Sequence, residues 1–166
     1  MLAKNKEGYK NLSKLSTLAH TEGFYYRPRI DLELLKKYKE GLICTSACAG
    51  GIIAPHLING DYDKARQTAK TFKEIFEDDF YLEIQDHGMD IEKPVLENMP
   101  KLANELNIKL VATNDCHYIE PEHAIPHNIL LNLSDKNGAD YTQLRYGTDQ
   151  IYFKSAKEMV KLFKKL

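Results

Sequence analysis

Three short apolar runs alternate with long amphipathic stretches between residues 41 and 115, and this alternation constrains the fold more than any other feature. GLICTSA, FYLEIQ and IKLVATND predict strands near 41–47, 80–85 and 108–114. Between them, DYDKARQTAKTFKEIFEDD places Ala65, Ala69, Phe72 and Phe76 on one helical face, and EKPVLENMPKLANEL reads as a second long helix. Strands separated by helices of about ten or more residues predict an α/β fold of parallel βαβ units with right-handed crossovers. The carboxyl ends of such strands are where open α/β sheets and barrels place their sites. Here those ends carry Ser46-Ala47-Cys48, Gln85-Asp86-His87 and Asn114-Asp115-Cys116-His117, all polar or metal-capable.

The flanking chain is less regular. Leu12, Leu15, Leu18 and Ala19 predict a helix over Lys4 to Thr21 with Gly23 as its stop, and Asp31 is the expected N-cap for LELLKKYK. After His117, EPEHAIPHNILLNL reads as a helix, KNGADYTQLRYGTDQ as a loop and IYFKS as an edge-like strand. SAKEMVKLFKKL reads as an amphipathic helix opened by a Ser155–Glu158 capping box. That helix carries no stop signal, and the expectation is a chain that ends before its natural terminus.

Composition bounds the function. The 166 residues carry 23 basic and 24 acidic side chains, so no global basic field exists and any nucleic-acid contact must be local. Three cysteines cannot all pair internally, no secretory leader opens the chain, and no apolar run approaches a membrane span. The expectation is a cytoplasmic protein with reduced thiols. Phosphate-loop, dinucleotide-fold and hydrolase-elbow motifs do not occur.

Two readings stand for each candidate. On an extended segment Asp115 and His117 share a face and can converge on one cation, with Cys48 adding a thiolate; zinc and manganese suit these donors. The alternative is a strand-end aspartate acting as a helix cap beside a solvated histidine. His87 follows the middle strand, either as a metal or phosphate contact or as a loop residue without function. Tyr25-Tyr26-Arg27-Pro28-Arg29 mixes rings with guanidiniums, which suits phosphate or nucleic acid through Arg27 and Arg29; the alternative is a packed loop whose arginines pair with nearby acids. Cys44 is expected to be a small buried hydrophobe.

Taken together, LAKNKEGYKNLSKLSTLAHTEGFYYRPRID, GLICTSACAGG, FYLEIQDHG, LVATNDCHYI and IYFKSAKEM resemble the PHP (polymerase and histidinol phosphatase) domain as it occurs in bacterial DNA polymerase III alpha subunits. The resemblance covers essentially the whole chain. It implies a distorted β/α barrel with a cluster of metal ions at the carboxyl ends of its strands, in which Cys48 matches a late ligand and Asp115 with His117 the closing D-x-H pair. It also implies DNA and deoxynucleotides as partners of the parent protein, together with a proofreading subunit, sliding clamp and clamp loader. Magnesium would serve its polymerase site, and zinc or manganese an intact PHP site.

The family's H-x-H motif and other early ligands are not found before Lys4, and the polymerase palm is not found before Leu166. The expectation for residues 1–166 is therefore part of a PHP domain, without polymerase activity and with little or no phosphoesterase activity of its own. A non-catalytic docking module and a stand-alone PHP-type phosphoesterase are the alternatives.

Overall fold

A computed structural model describes residues 1–133 and 143–164. The chain opens with a two-residue strand, β1 (Leu2–Ala3), and a helix, α1 (Lys6–Thr21). Asn5 caps α1, its side-chain oxygen accepting from the Gly8 amide at 2.9 Å. Gly8 is buried where the helix crosses the turn before the second strand: a Cβ there would lie 1.8 Å from the Gly41 carbonyl oxygen. Only glycine permits this approach, which also lets the Lys4 amide donate to Gly41 at 2.8 Å and sets β1 against the sheet.

Next come α2 (Leu32–Lys37), β2 (Leu42–Thr45), α3 (Ala54–Ile58), α4 (Tyr62–Phe76), β3 (Phe80–Ile84), α5 (Lys93–Leu106) and β4 (Lys109–Ala112). Asp31 caps α2 as expected, accepting from Leu34 at 2.8 Å. The three expected strands are present and parallel, with Cys44 opposite Phe80 and Leu82 opposite Leu110. β1 adds to the far side of β2 in the antiparallel sense, and the sheet is open.

Side chains alternate along β2 and β3. Leu42, Cys44, Phe80, Leu82 and Ile84 are buried, while Ile43, Thr45, Tyr81 and Glu83 are only partly so. The buried face packs with Leu57 of α3, Ala65 and Ala69 of α4, and Met99 and Leu102 of α5 into one core. The other face is only partly covered and mixes Ile43 and Tyr81 with Thr45 and Glu83. β4 is the exception, since no residue in it is buried.

The structure departs from expectation in the shorter elements. β1 and α3 carry too few residues for a periodic signal. EPEHAIPHNILLNL is split into a 3-10 turn, Pro121–His123, and α6 (Ala124–Asn132). IYFKS is not a strand: only Tyr152 pairs, in a single parallel bridge with Tyr118. Residues 136–142 of the expected KNGADYTQLRYGTDQ loop lie outside the described residues. Ser155 and Glu158 form the expected capping box at the start of α7 (Ala156–Leu162).

Candidate functional site

The carboxyl end of β3 is held by polar groups facing each other. Gln85 donates to Glu83 at 3.1 Å and to Thr113 at 3.0 Å, and the Thr113 hydroxyl donates to Glu83. From the neighbouring strand end, the buried Ser46 hydroxyl accepts the Glu83 amide at 2.8 Å. The chain then turns through Ala47, at φ +64°, and delivers Cys48 to a narrow crevice. Glu83, Gln85, Glu92 and Val95 line the same crevice, and its 10 Å³ would hold about one water. Cys48 is half-buried, whereas Cys44 is sealed in the core, where burial pushes its thiol up to about 11.

His87 is 4% exposed and both its ring nitrogens are engaged. Nδ1 meets the Glu92 carboxylate at 2.5 Å and Nε2 the Asn114 carbonyl at 2.9 Å. A carboxylate and a carbonyl accept hydrogen bonds, so this arrangement stabilises the doubly protonated ring. Burial opposes that charge, but the Glu92 carboxylate and the Asn114 carbonyl outweigh it and raise the His87 pKa. Glu92 is held below its ordinary value against its own burial by hydrogen bonds from the His87 ring and from the His87 and Met89 amides. In this geometry His87 offers no ring nitrogen to a phosphate. It ties the end of β3 to the start of α5 and to the end of β4.

Asn114 is the hub of the β4 end. Its amide nitrogen donates to the carbonyls of Gln150 at 3.0 Å and Tyr152 at 2.7 Å, and its buried Oδ1 has no partner among the described residues. Thr148 donates to the His87 carbonyl, and the His117 amide donates to Ile151, both at 2.8 Å. Residues 148–152 are thereby stitched across the strand ends.

Asp115 departs from the extended geometry expected of it. With φ at +42° it breaks the alternation that would place its carboxylate and the His117 ring on one face. His117 points Nδ1 at the Asp115 carbonyl, 2.5 Å away, an orientation that fixes the ring as second-sphere partners fix metal-binding histidines. Its ring packs 4.9 Å from Tyr146 and 5.6 Å from His127. Burial and the nearby His117 lower the His127 pKa.

Cys48 lines the crevice beside Glu83, and Asp115 and His117 follow β4 in the chain. Among the described residues no group of three or more His, Cys, Asp or Glu is arranged to hold a metal ion. By themselves these three side chains do not make a metal centre, and no chemical step is derived through one. Arg27 and Arg29 lie far along the chain in an exposed loop, and neither forms an ion pair among the described residues. Glu92, Thr148 and Tyr146 gave no sequence signal. Their importance comes from partners many residues away.

An open parallel sheet interleaved with helices fits part of the β/α architecture that the sequence resemblance implied, and the PHP domain family model matches residues 1–87. The chain belongs to the PHP domain family. It is 44% identical over its whole length to the DNA polymerase III subunit alpha of Borreliella burgdorferi, covering 15% of that protein. It is also 44% identical to that of Treponema pallidum over 98% of the chain, and 45% identical to that of Aquifex aeolicus over 82%. The matches cover 14% and 12% of those two proteins, so the chain spans a small part of each relative. No helix among the described residues is long and apolar enough to cross a membrane.

Proposed function

We propose that residues 1–166 are a stretch of the PHP domain of a replicative DNA polymerase alpha subunit, acting in the cytoplasm. The 44% identity across the whole chain is the observation that carries this reading. The parent would join deoxynucleotides on a DNA template with magnesium, alongside a proofreading subunit, sliding clamp and clamp loader. In the longer protein, Cys48, Asp115 and His117 would add donors to a zinc or manganese site. The Asp115 carbonyl that fixes the His117 ring through Nδ1 supports its part in that role. Such a site would brace the domain or remove 3′-terminal nucleotides.

The chain alone is expected to lack polymerase activity and to have little or no phosphoesterase activity. Incubation of the purified chain with labelled primer–template and deoxynucleotides plus magnesium, and with a labelled single strand plus zinc or manganese, tests both. Metal-dependent release of terminal nucleotides that disappears in His117→Ala would overturn the second expectation.

A further inference from the structure

The loop between α1 and α2 inverts the usual distribution of apolar surface. Phe24, Tyr25 and Tyr26 are three consecutive aromatic residues exposed by 59%, 64% and 83%. They belong to a formed loop. The Tyr25 amide donates to the Arg27 carbonyl at 3.1 Å, closing a narrow turn around Tyr26. Gly23 packs so closely on Arg29 that a Cβ would come 2.0 Å from the Arg29 carbonyl oxygen. Tyr26 sits at φ +58°, an uncommon conformation for a bulky residue, and the turn presents its ring to solvent.

Arg29 braces this display. Its guanidinium donates to the Tyr25 carbonyl at 2.6 Å and lies 5.0 Å from the centre of the Tyr25 ring, while the Tyr25 and Tyr26 rings meet edge to face at 4.6 Å. Arg27 is fully at the surface. The packed-loop alternative with acid-paired arginines does not describe this segment. Immediately after the loop, Ile30, Asp31 and Leu32 line an open groove together with Thr45, Ser46 and Ala47, at the carboxyl end of β2.

We infer that Phe24–Arg29 is a binding platform for single-stranded DNA, on which Tyr25 and Tyr26 stack bases while Arg27 contacts a phosphate. Exposed rings accept any base face, and an unpaired guanidinium nearby supplies charge complementary to the backbone. A duplex hides its base faces and cannot use the rings. The inference deepens the proposed function by naming where a strand approaches the sheet edge, and it rests on that reading for its choice of DNA.

Fluorescence anisotropy of a labelled oligothymidylate of about 12 nucleotides, titrated with the 166-residue chain at low salt, tests it. Binding is expected to weaken about tenfold or more in the Tyr25→Ala/Tyr26→Ala double variant, and to be unchanged in Tyr9→Ala, which removes an exposed ring elsewhere. Arg27→Ala should reduce the slope of log affinity against log salt by about 0.7. Circular dichroism of each variant should match that of the parent chain. Absence of binding at low salt, equal binding to duplex, or affinity unchanged in a folded double variant would each overturn the inference. None of these outcomes bears on the nucleotide-release assay above, so the two readings fail separately.

Discussion

The β3–β4 end and the α1–α2 loop break the ordinary inside–outside rule in opposite directions. At the first, a histidine, a glutamate and an asparagine are buried; at the second, three aromatic rings face solvent. Buried polar groups persist where partners satisfy them, and the His87–Glu92–Asn114 chain shows the arrangement: nearly every donor and acceptor is used within the fold. Exposed rings satisfy nothing inside. A polar cluster at a strand end is therefore no proof of a ligand site. In this molecule the apolar loop is the better pointer to a partner.

The sharpest way to break that comparison is to unpair the buried end. Glu92→Ala should destabilise the fold by about 3–5 kcal/mol, because it leaves the His87 charge buried without its counterion. Urea denaturation measures the loss. A change under about 1 kcal/mol would mean that His87 simply sheds its proton and that the pair is not ionised.

The pH dependence sharpens the same point. The raised His87 pKa gives stabilisation that is complete below the ordinary histidine value, about 6.5, and is lost as pH rises through the folded value. The lowered Glu92 pKa gives stabilisation that is complete above the ordinary glutamate value, about 4.3, and is lost as pH falls through the folded value. Together they contribute most between those two ordinary values. Denaturation midpoints across pH should show this contribution in the parent chain and not in a His87→Leu/Glu92→Leu variant.

A smaller effect is expected from Asn114→Ala. Losing both side-chain donors leaves the Gln150 and Tyr152 carbonyls without that partner and should cost about 1–3 kcal/mol. Hydrogen exchange should localise the change to the His117 and Phe153 amides, which bond across this junction. The smallest effect belongs to the exposed end. Tyr26→Gly removes a ring that packs on little and relieves a left-handed backbone, so stability should stay the same or rise by up to about 1 kcal/mol. A loss above that range would mean that Tyr26 is structural, and the contrast between the two regions would narrow.

The parallel strands were legible because their signal is periodic and local: Leu42, Phe80 and Leu82 lie in apolar runs bounded by long helices. Asp31 and Ser155 were legible as caps because a cap acts within three residues. Asp115 was not, since its backbone turns left-handed at φ +42°, and spacing within D-x-H carries no trace of that. His87 was ambiguous for the same reason. Its partner Glu92 reaches it only because Gly88, at φ +76°, reverses the chain between them. Glu92 itself reads in sequence as an ordinary acidic residue at a helix start.

The three cysteines, free in the structure, form a graded set of chemical clocks. Cys116 is exposed, Cys48 half-buried and Cys44 sealed in the core with its thiol pushed up to about 11. An alkylating reagent needs both access and thiolate, so Cys116 should be consumed first and Cys44 last. Cys44 lies on β2 against Phe80 of β3, and exposing it requires the central pair of strands to part. Where opening and closing outrun alkylation, the slow phase reports the population of the opened sheet, and its rate reads the stability of the core without any denaturant.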